Sequence, residues 1–280
     1  IVARVVAAQL TAQTGQSFIV ENRPGANGII GADAVAKAAP DGYTLMVYSS
    51  GFVINPAIYK KLPYDTEKDF IPITNIVLSD GLFIIVNPSL PAHTLQELIS
   101  MGRLADAKLA FSSPGVGNTL HLAGEIFNAR AGTKMLHIPY KGGGPAVAAV
   151  VAGEVQVMFS SPAPAMPQMK AGTVRALAYS GPKRNPSMPD VPTTVEAGLP
   201  GYRLDGGWFG MFAPANTPAE IVDKLHREVH TAVANKEVTD RLVALGVEPL
   251  ANSPAEFRQF VRAQIQNYAE SARLAGIKPE

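Results

Sequence analysis

Cysteine is missing from all 280 residues of the chain. That excludes a disulfide scaffold, a thiolate zinc site and a cysteine nucleophile, but leaves the compartment open, since an exported protein can dispense with disulfides. No apolar run approaches the roughly 18 to 20 residues of a membrane span, and no stretch joins a charged start, an apolar core and a small-residue cleavage site. An excess of one charge is lacking too. The 24 basic and 23 acidic groups offer no basic face for nucleic acid or membranes, so a small-molecule partner is expected. The chain has no Gly-Lys dipeptide and no Gly-x-Ser-x-Gly segment, which removes a Walker A loop and a hydrolase elbow.

What is present is core. Hydrophobic residues make up 47% of the chain, enough for two α/β domains of about 100 to 150 residues each or one larger one. Ile1 to Leu10 reads as an amphipathic helix closed by Gly15, with no cap ahead of it, so a preceding strand and turn are expected before Ile1. Strand patterns follow at Ser17 to Val20, Tyr43 to Tyr48, Ile71 to Leu78, Leu82 to Val86, Lys108 to Ser112, Met135 to Ile138, Val155 to Phe159 and Val174 to Ser180. Helices are predicted over Ala32 to Ala39, from residue 95 to about Leu104 behind the Thr94–Glu97 capping box, after Asn118, and over Pro162 to Lys170. The last third is helical, with capping boxes at Thr217–Glu220 and Ser253–Glu256 and helices running to about Asn235 and Ala275.

Chemistry concentrates where strands enter helices through glycine. Met135 to Ala165 reads as strand, Gly-rich turn, helix and strand, and its turn at Lys141 to Gly144 leaves backbone N–H groups unshielded at a helix start, where the dipole favours an anion. The alternative is a tight βα connection that needs glycine for its geometry. Ser113-Pro114-Gly115-Val116-Gly117-Asn118 is a second turn of this kind, and in a parallel sheet with right-handed crossovers the two open at one edge. Ser50 and Gly51, at the end of another strand, are further candidates, with a serine-capped turn as the equal alternative. The glycines at 25, 28 and 31 lack dinucleotide-fingerprint spacing and are read as a turn with close helix packing. His226 and His230 stand at zinc spacing, but Arg227 occupies the place of a metalloprotease's general base, so they are read as a surface flank. His121 and His137 lie beside the two Gly-rich turns and are read as hydrogen-bonded neighbours.

The succession ENRPGANGIIGADAVAKAAPDGYTL, NPAIYKKLPYD, KDF, NPSLPAHTLQELI, HIPYKGGGPAV, PDVPTTVEAGLPGY, PAEF and GIKPE resembles the Bug-type extracytoplasmic solute receptors of tripartite tricarboxylate transporters, across essentially the whole chain. The resemblance implies an α/β, type II periplasmic binding protein fold. Its two α/β lobes enclose a ligand cleft, with residues 1–105 plus 206–280 in lobe 1 and 106–205 in lobe 2. It implies a periplasmic location, a small carboxylate ligand, delivery to membrane permease subunits, no cofactor, no metal and no enzymatic step; a monomer suits a trap that opens and closes. Ligand contacts are expected from Ser50, Gly51, Ser113, Gly117, Asn118, His121, Tyr140, Lys141, Gly142, Ser160 and Ser161. Backbone N–H groups near Gly117, Asn118 and Gly142 and the hydroxyls of Ser50, Ser113 and Ser160 would donate to the carboxylate, and Tyr140 would pack on the ligand or in the core. Family members begin with a strand and a Pro/Gly-rich loop that lines the pocket. Many carry Asp-Asn where this chain has Ser160-Ser161, and loss of that carboxylate disfavours ligands with an ammonium group. A sensory module and an enzyme on the same scaffold are the other readings.

Overall fold

The computed structural model describes residues 1–104, 106–204 and 206–274, with side chains through residue 270. In chain order the elements are α1 (Val2–Thr14), α2 (Ile29–Ala36), β1 (Met46–Ser49), α3 (Gly51–Ile58), β2 (Phe70–Ser79), β3 (Phe83–Val86), α4 (Leu95–Gly102), β4 (Ala110–Ser113), α5 (Thr119–Ala131), β5 (Leu136–Pro139), α6 (Gly143–Ala152), β6 (Val157–Ser160), α7 (Pro162–Lys170), β7 (Arg175–Tyr179), β8 (Gly207–Pro214), α8 (Ala219–Ala234), α9 (Lys236–Ala244), β9 (Glu248–Pro249) and α10 (Pro254–Leu274). The GIKPE segment lies outside the described residues.

The chain forms two compact units. One holds residues 1–78, 208–243 and those from 248 onward; the other holds Ser79–Gly207 and Ala244–Val247. Sequence reasoning had kept residues 79–105 in the first lobe. Strand β3 instead pairs with both β6 and β7, and α4 buries Leu95, Leu98 and Ile99 in the same core, so the first crossing comes at residue 78.

The first unit carries a four-stranded sheet in the order β1-β8-β2-β9, with β1 antiparallel to β8 from Met46↔Phe212 to Ser49↔Phe209. Its core is aromatic. Phe52 lies 4.8 Å from Phe212 and 5.0 Å from Phe70 between ring centroids, and Trp208 packs edge-on to Phe257 at 5.6 Å. Ser17 to Val20 forms no strand. Ile19 and β1 both line a cavity of about 620 Å³. Thr217 is a second correction: its hydroxyl donates to Pro214 O at 2.8 Å and α8 has no side-chain cap. The Thr94–Glu97 and Ser253–Glu256 boxes do form.

The second unit is built on a five-stranded mixed sheet in the order β5-β4-β6-β3-β7. Strand β4 runs parallel to β5 and to β6, in a register that sets Ser113 opposite Pro139 and Ser112 opposite Met158. Helices α5 and α6 follow β4 and β5 and pack back on the sheet, as right-handed crossovers require. The core between them buries Phe83, Phe111, Phe127, Phe159, Tyr179 and Tyr202. No helix among the described residues is long and apolar enough to cross a membrane.

Candidate functional site

Three adjacent parallel strands, β5, β4 and β6, end together, and each hands over to a helix: β4 to α5, β5 to α6 and β6 to α7. The starts of three helices therefore lie at one edge of the second unit's sheet, where open α/β sheets gather ligands. The two Gly-rich turns are tied to each other. Tyr140 N donates to Ser113 O at 2.9 Å and Gly142 N donates to Pro114 O at 3.1 Å.

Several groups named as candidate donors have partners within the turns. Gly142 N–H is spent on Pro114, Asn118 N–H on Gly115 O at 3.2 Å, and Gly117 N–H on His121 Nδ1 at 3.0 Å. The Ser113 hydroxyl donates to Gly115 O at 2.9 Å and the Ser160 hydroxyl to Ser161 O at 3.0 Å. Both serines are buried. These bonds close the turns and shape the sheet edge. Asn118 is the N-cap of α5, its Oδ1 accepting from Leu120 N at 3.0 Å. Tyr140 packs partly against the core and turns its hydroxyl to Glu154 at 3.4 Å. Ser161 caps α7 by position only, with Pro162 behind it.

The open donors lie one and two residues further on. Helix α6 starts at Gly143; Pro145 has no N–H, and Ala146 N donates to Gly142 O at 3.2 Å. Gly143 and Gly144 are the first two helical residues, whose N–H groups have no acceptor within the helix, and neither meets another acceptor among the described residues. Only Gly142, with φ 114°, needs glycine for its backbone. A Cβ on Gly143 or Gly144 would meet nothing within 4 Å. Neither packing nor strain therefore accounts for these two glycines. Lys141 is exposed beside them.

Two histidines brace the β4–α5 turn. The rings of His121 and His137 stack with centroids 3.8 Å apart and planes 23° apart, with Phe111 5.1 Å from His137. Burial, then the neighbouring His121, pushes the His137 pKa down to about 4. The sign follows directly. An unfolded chain takes up this proton as pH falls through the ordinary histidine value of about 6.5, and the folded chain resists it. The contribution to stability is thus complete above about pH 6.5 and lost progressively towards pH 4. Melting temperature is expected to fall over that interval, and His137→Phe is expected to flatten that part of the curve, as read by calorimetry at a series of pH values.

In the first unit, Ser50 and Gly51 are buried at the start of α3, and Ser50 makes no side-chain cap. Beside them stands a cluster that sequence reasoning missed. Asn27 Nδ2 donates to Asn55 Oδ1 at 2.7 Å, Asn55 Nδ2 reaches the hydroxyls of Tyr64 at 3.3 Å and Tyr48 at 3.4 Å, and the Tyr48 hydroxyl donates to Asn27 O. Asn55 is fully buried. A fully buried asparagine inside the apolar run Phe52 to Ile58 was the available signal. The nearby glycine loop is a packing device, as expected: a Cβ on Gly28 would lie 2.1 Å from the Tyr48 hydroxyl. Among the described residues no cluster of three metal-ligating side chains occurs. His226 and His230 stand 6.1 Å apart between ring centroids.

Residues 2–273 match the model of the tripartite tricarboxylate transporter family receptor. The periplasmic binding protein BugD is 33% identical, with a TM-score of 0.93 over 100% of this chain and 93% of its own. Rpa4515 of R. palustris, solved with adipate, is 34% identical with a TM-score of 0.94 over 100% of this chain and 93% of its own. MatC of Rhodopseudomonas palustris, solved with bound malate, is 32% identical with a TM-score of 0.88 over 96% and 92%. Two of these three structures hold a dicarboxylate. A family match over nearly the whole chain, on a fold shared with periplasmic binding proteins, has one conclusion: the chain belongs to the solute receptors of tripartite tricarboxylate transporters.

Proposed function

We propose that this receptor captures a small carboxylate at the strand-end edge of its second unit and delivers it, as a periplasmic monomer, to the permease subunits of a tripartite transporter. The observation that carries the reading is the pair Gly143 and Gly144, two N–H groups without an acceptor at a helix start, on residues where an added Cβ would meet nothing within 4 Å. A carboxylate placed there accepts both bonds and lies on the positive end of the α6 dipole. Lys141 adds a cation at the same turn. The adipate bound to Rpa4515 and the malate bound to MatC indicate the ligand class. Ser160 and Ser161 put no carboxylate on the neighbouring strand end, so acids without an amino group are the favoured subset.

A thermal-shift screen against dicarboxylates, citrate, aromatic acids, aspartate and glutamate tests this. A ligand at a hundred times its dissociation constant stabilises the fold by about 2.7 kcal/mol, which a melting curve resolves. Hits confined to acids without an amino group are expected. A hit on aspartate or glutamate would keep the receptor and remove the Ser160 argument; silence across the panel would sink the carboxylate site proposed at the strand-end edge.

A further inference from the structure

Helix α7 starts where β6 ends, so Ser160 and Ser161 lead directly into Pro162, and it packs on α6, the helix that begins with Gly143 and Gly144. By itself it is weak. Three of its nine residues are prolines, and Pro167 removes a hydrogen bond from the ladder; a helix this short depends on what is packed against it. Ala165, Met166 and Met169 enter the core of the second unit. A further support is the segment Ala244–Val247, which belongs to the second unit although the chain on both sides of it belongs to the first.

This segment is fixed at three points. Lys170 Nζ, at the end of α7, donates to Ala244 O at 3.0 Å. The buried Asn185 donates from Nδ2 to Gly246 O at 3.2 Å, while its Oδ1 accepts from Ser187 N at 3.0 Å. Gly246 lies against the start of α7: a Cβ added there would stand 2.8 Å from Pro162 Cβ and 2.6 Å from Met166 Cε. Its φ of 75° suits a turn after a helix and favours glycine on that ground alone. The close approach to Pro162 is a separate demand.

We propose that Ala244–Val247 is a strap that holds the start of α7 in place, with Gly246, Asn185 and Lys170 as positioning residues of the carboxylate site. The proposal rests on the receptor reading above. The three residues act through α7: displacing Pro162 moves the Ser160–Ser161 corner that precedes it and disturbs α6, on which α7 packs. A shift of about 1 Å is enough to take a hydrogen bond out of range.

Calorimetric titration of the full chain with malate and with adipate, beside melting curves without ligand, tests this. Gly246→Ala drives a methyl group against the Pro162 ring and is expected to bind both acids about tenfold more weakly. It also loses stability through its positive φ, so Gly172→Ala is the control. Gly172 has φ 70° and nothing within 4 Å of an added Cβ; its alanine variant should lose comparable stability and bind within about twofold of the native chain. Lys170 is exposed and roughly 12 Å of helix rise from Pro162, beyond the Debye length of about 8 Å at 0.15 M salt. Lys170→Met should therefore melt normally and bind about threefold more weakly through loss of the strap contact, with Lys170→Arg as the rescue. Gly246→Ala binding within about twofold of the native chain, or Gly172→Ala losing as much affinity as Gly246→Ala, overturns the proposal while leaving the receptor intact. If Gly246→Ala fails to fold, Lys170→Met decides, and native affinity in that variant is then the overturning result. No binding of either acid by the native chain overturns the carboxylate site and the strap together.

Discussion

Gly144→Asp is expected to weaken carboxylate binding by more than tenfold without loss of stability. Gly144 is exposed in the first turn of α6, with nothing within 4 Å of an added Cβ, so the substitution meets no steric objection. An aspartate in a helix's first turn interacts favourably with the dipole, worth about 0.3 to 1 kcal/mol, and relieves the low helix propensity of glycine. The folded chain should therefore melt at the same temperature or slightly higher. Binding moves the other way. The new carboxylate occupies the positive helix end that the ligand would use and repels the ligand's own charge. Losing one charge-assisted contact costs about 1.5 to 3 kcal/mol, so affinity is expected to drop roughly 12- to 150-fold. Calorimetric titration with malate and adipate, beside a melting curve, reads both halves. A variant that melts normally and binds as well as the native chain would remove α6 from the site. Gly144→Ala is the control: it adds only a methyl group in open space and should bind within about threefold of the native chain.

Local signals located most elements, because each rests on chemistry within a few residues. The Thr94 and Ser253 boxes close through a side chain three positions away, and Asn118 caps α5 through Leu120. The misses share a different cause. Helix α3 buries Phe52, Val53, Ile54, Asn55 and Ile58, so the run has no polar face, and no 3.6-residue period marks it as a helix. The Ser17 to Val20 segment has strand composition, yet β propensity expresses fit against a neighbouring strand, and none is paired to it among the described residues. Asn235 was read as the end of one helix. It also begins the next, its Oδ1 accepting from Glu237 N at 3.0 Å.

The candidate site divides along the same line. The β4–α5 and β5–α6 turns were legible, since each announces a helix start through glycine. Their hydrogen-bond partners were not. Which N–H groups near Gly117, Asn118 and Gly142 are left without an acceptor depends on Pro114 O, Gly115 O and His121 Nδ1, which are supplied by the folded turns. The stacked pair of His121 and His137 spans two elements and has no sequence spacing to betray it. The strand order β5-β4-β6-β3-β7, which brings Ser160 beside the Ser113 turn, is likewise a tertiary fact.

Phe159→Ala is expected to produce the largest stability loss of any single change in the second unit. Phe159 is fully buried on β6, which is hydrogen-bonded to β3 on one side and β4 on the other. Its ring stands 5.7 Å edge-on from Phe111, 5.2 Å from Phe127 and 6.2 Å from Tyr202 between centroids. Three aromatic partners on different elements cannot all move into the space that an alanine would leave, so the cavity stays open and adds to the lost transfer free energy. Substitutions of this kind cost about 3 to 5 kcal/mol, against a total stability on the order of 5 to 15 kcal/mol for a typical domain. The second unit should therefore unfold at a markedly lower denaturant concentration. Phe159→Leu, which keeps most of the volume, should lose about 1.5 kcal/mol or less. Because Phe111 also packs under the histidine pair, the alanine variant is expected to bind carboxylate more weakly at temperatures where it remains folded. Equal losses for Leu and Ala would place the cost in the aromatic contacts themselves. A loss below about 1 kcal/mol for Ala would mean that the cluster relaxes into the cavity, and that the sheet edge bearing the site is softer than its packing indicates.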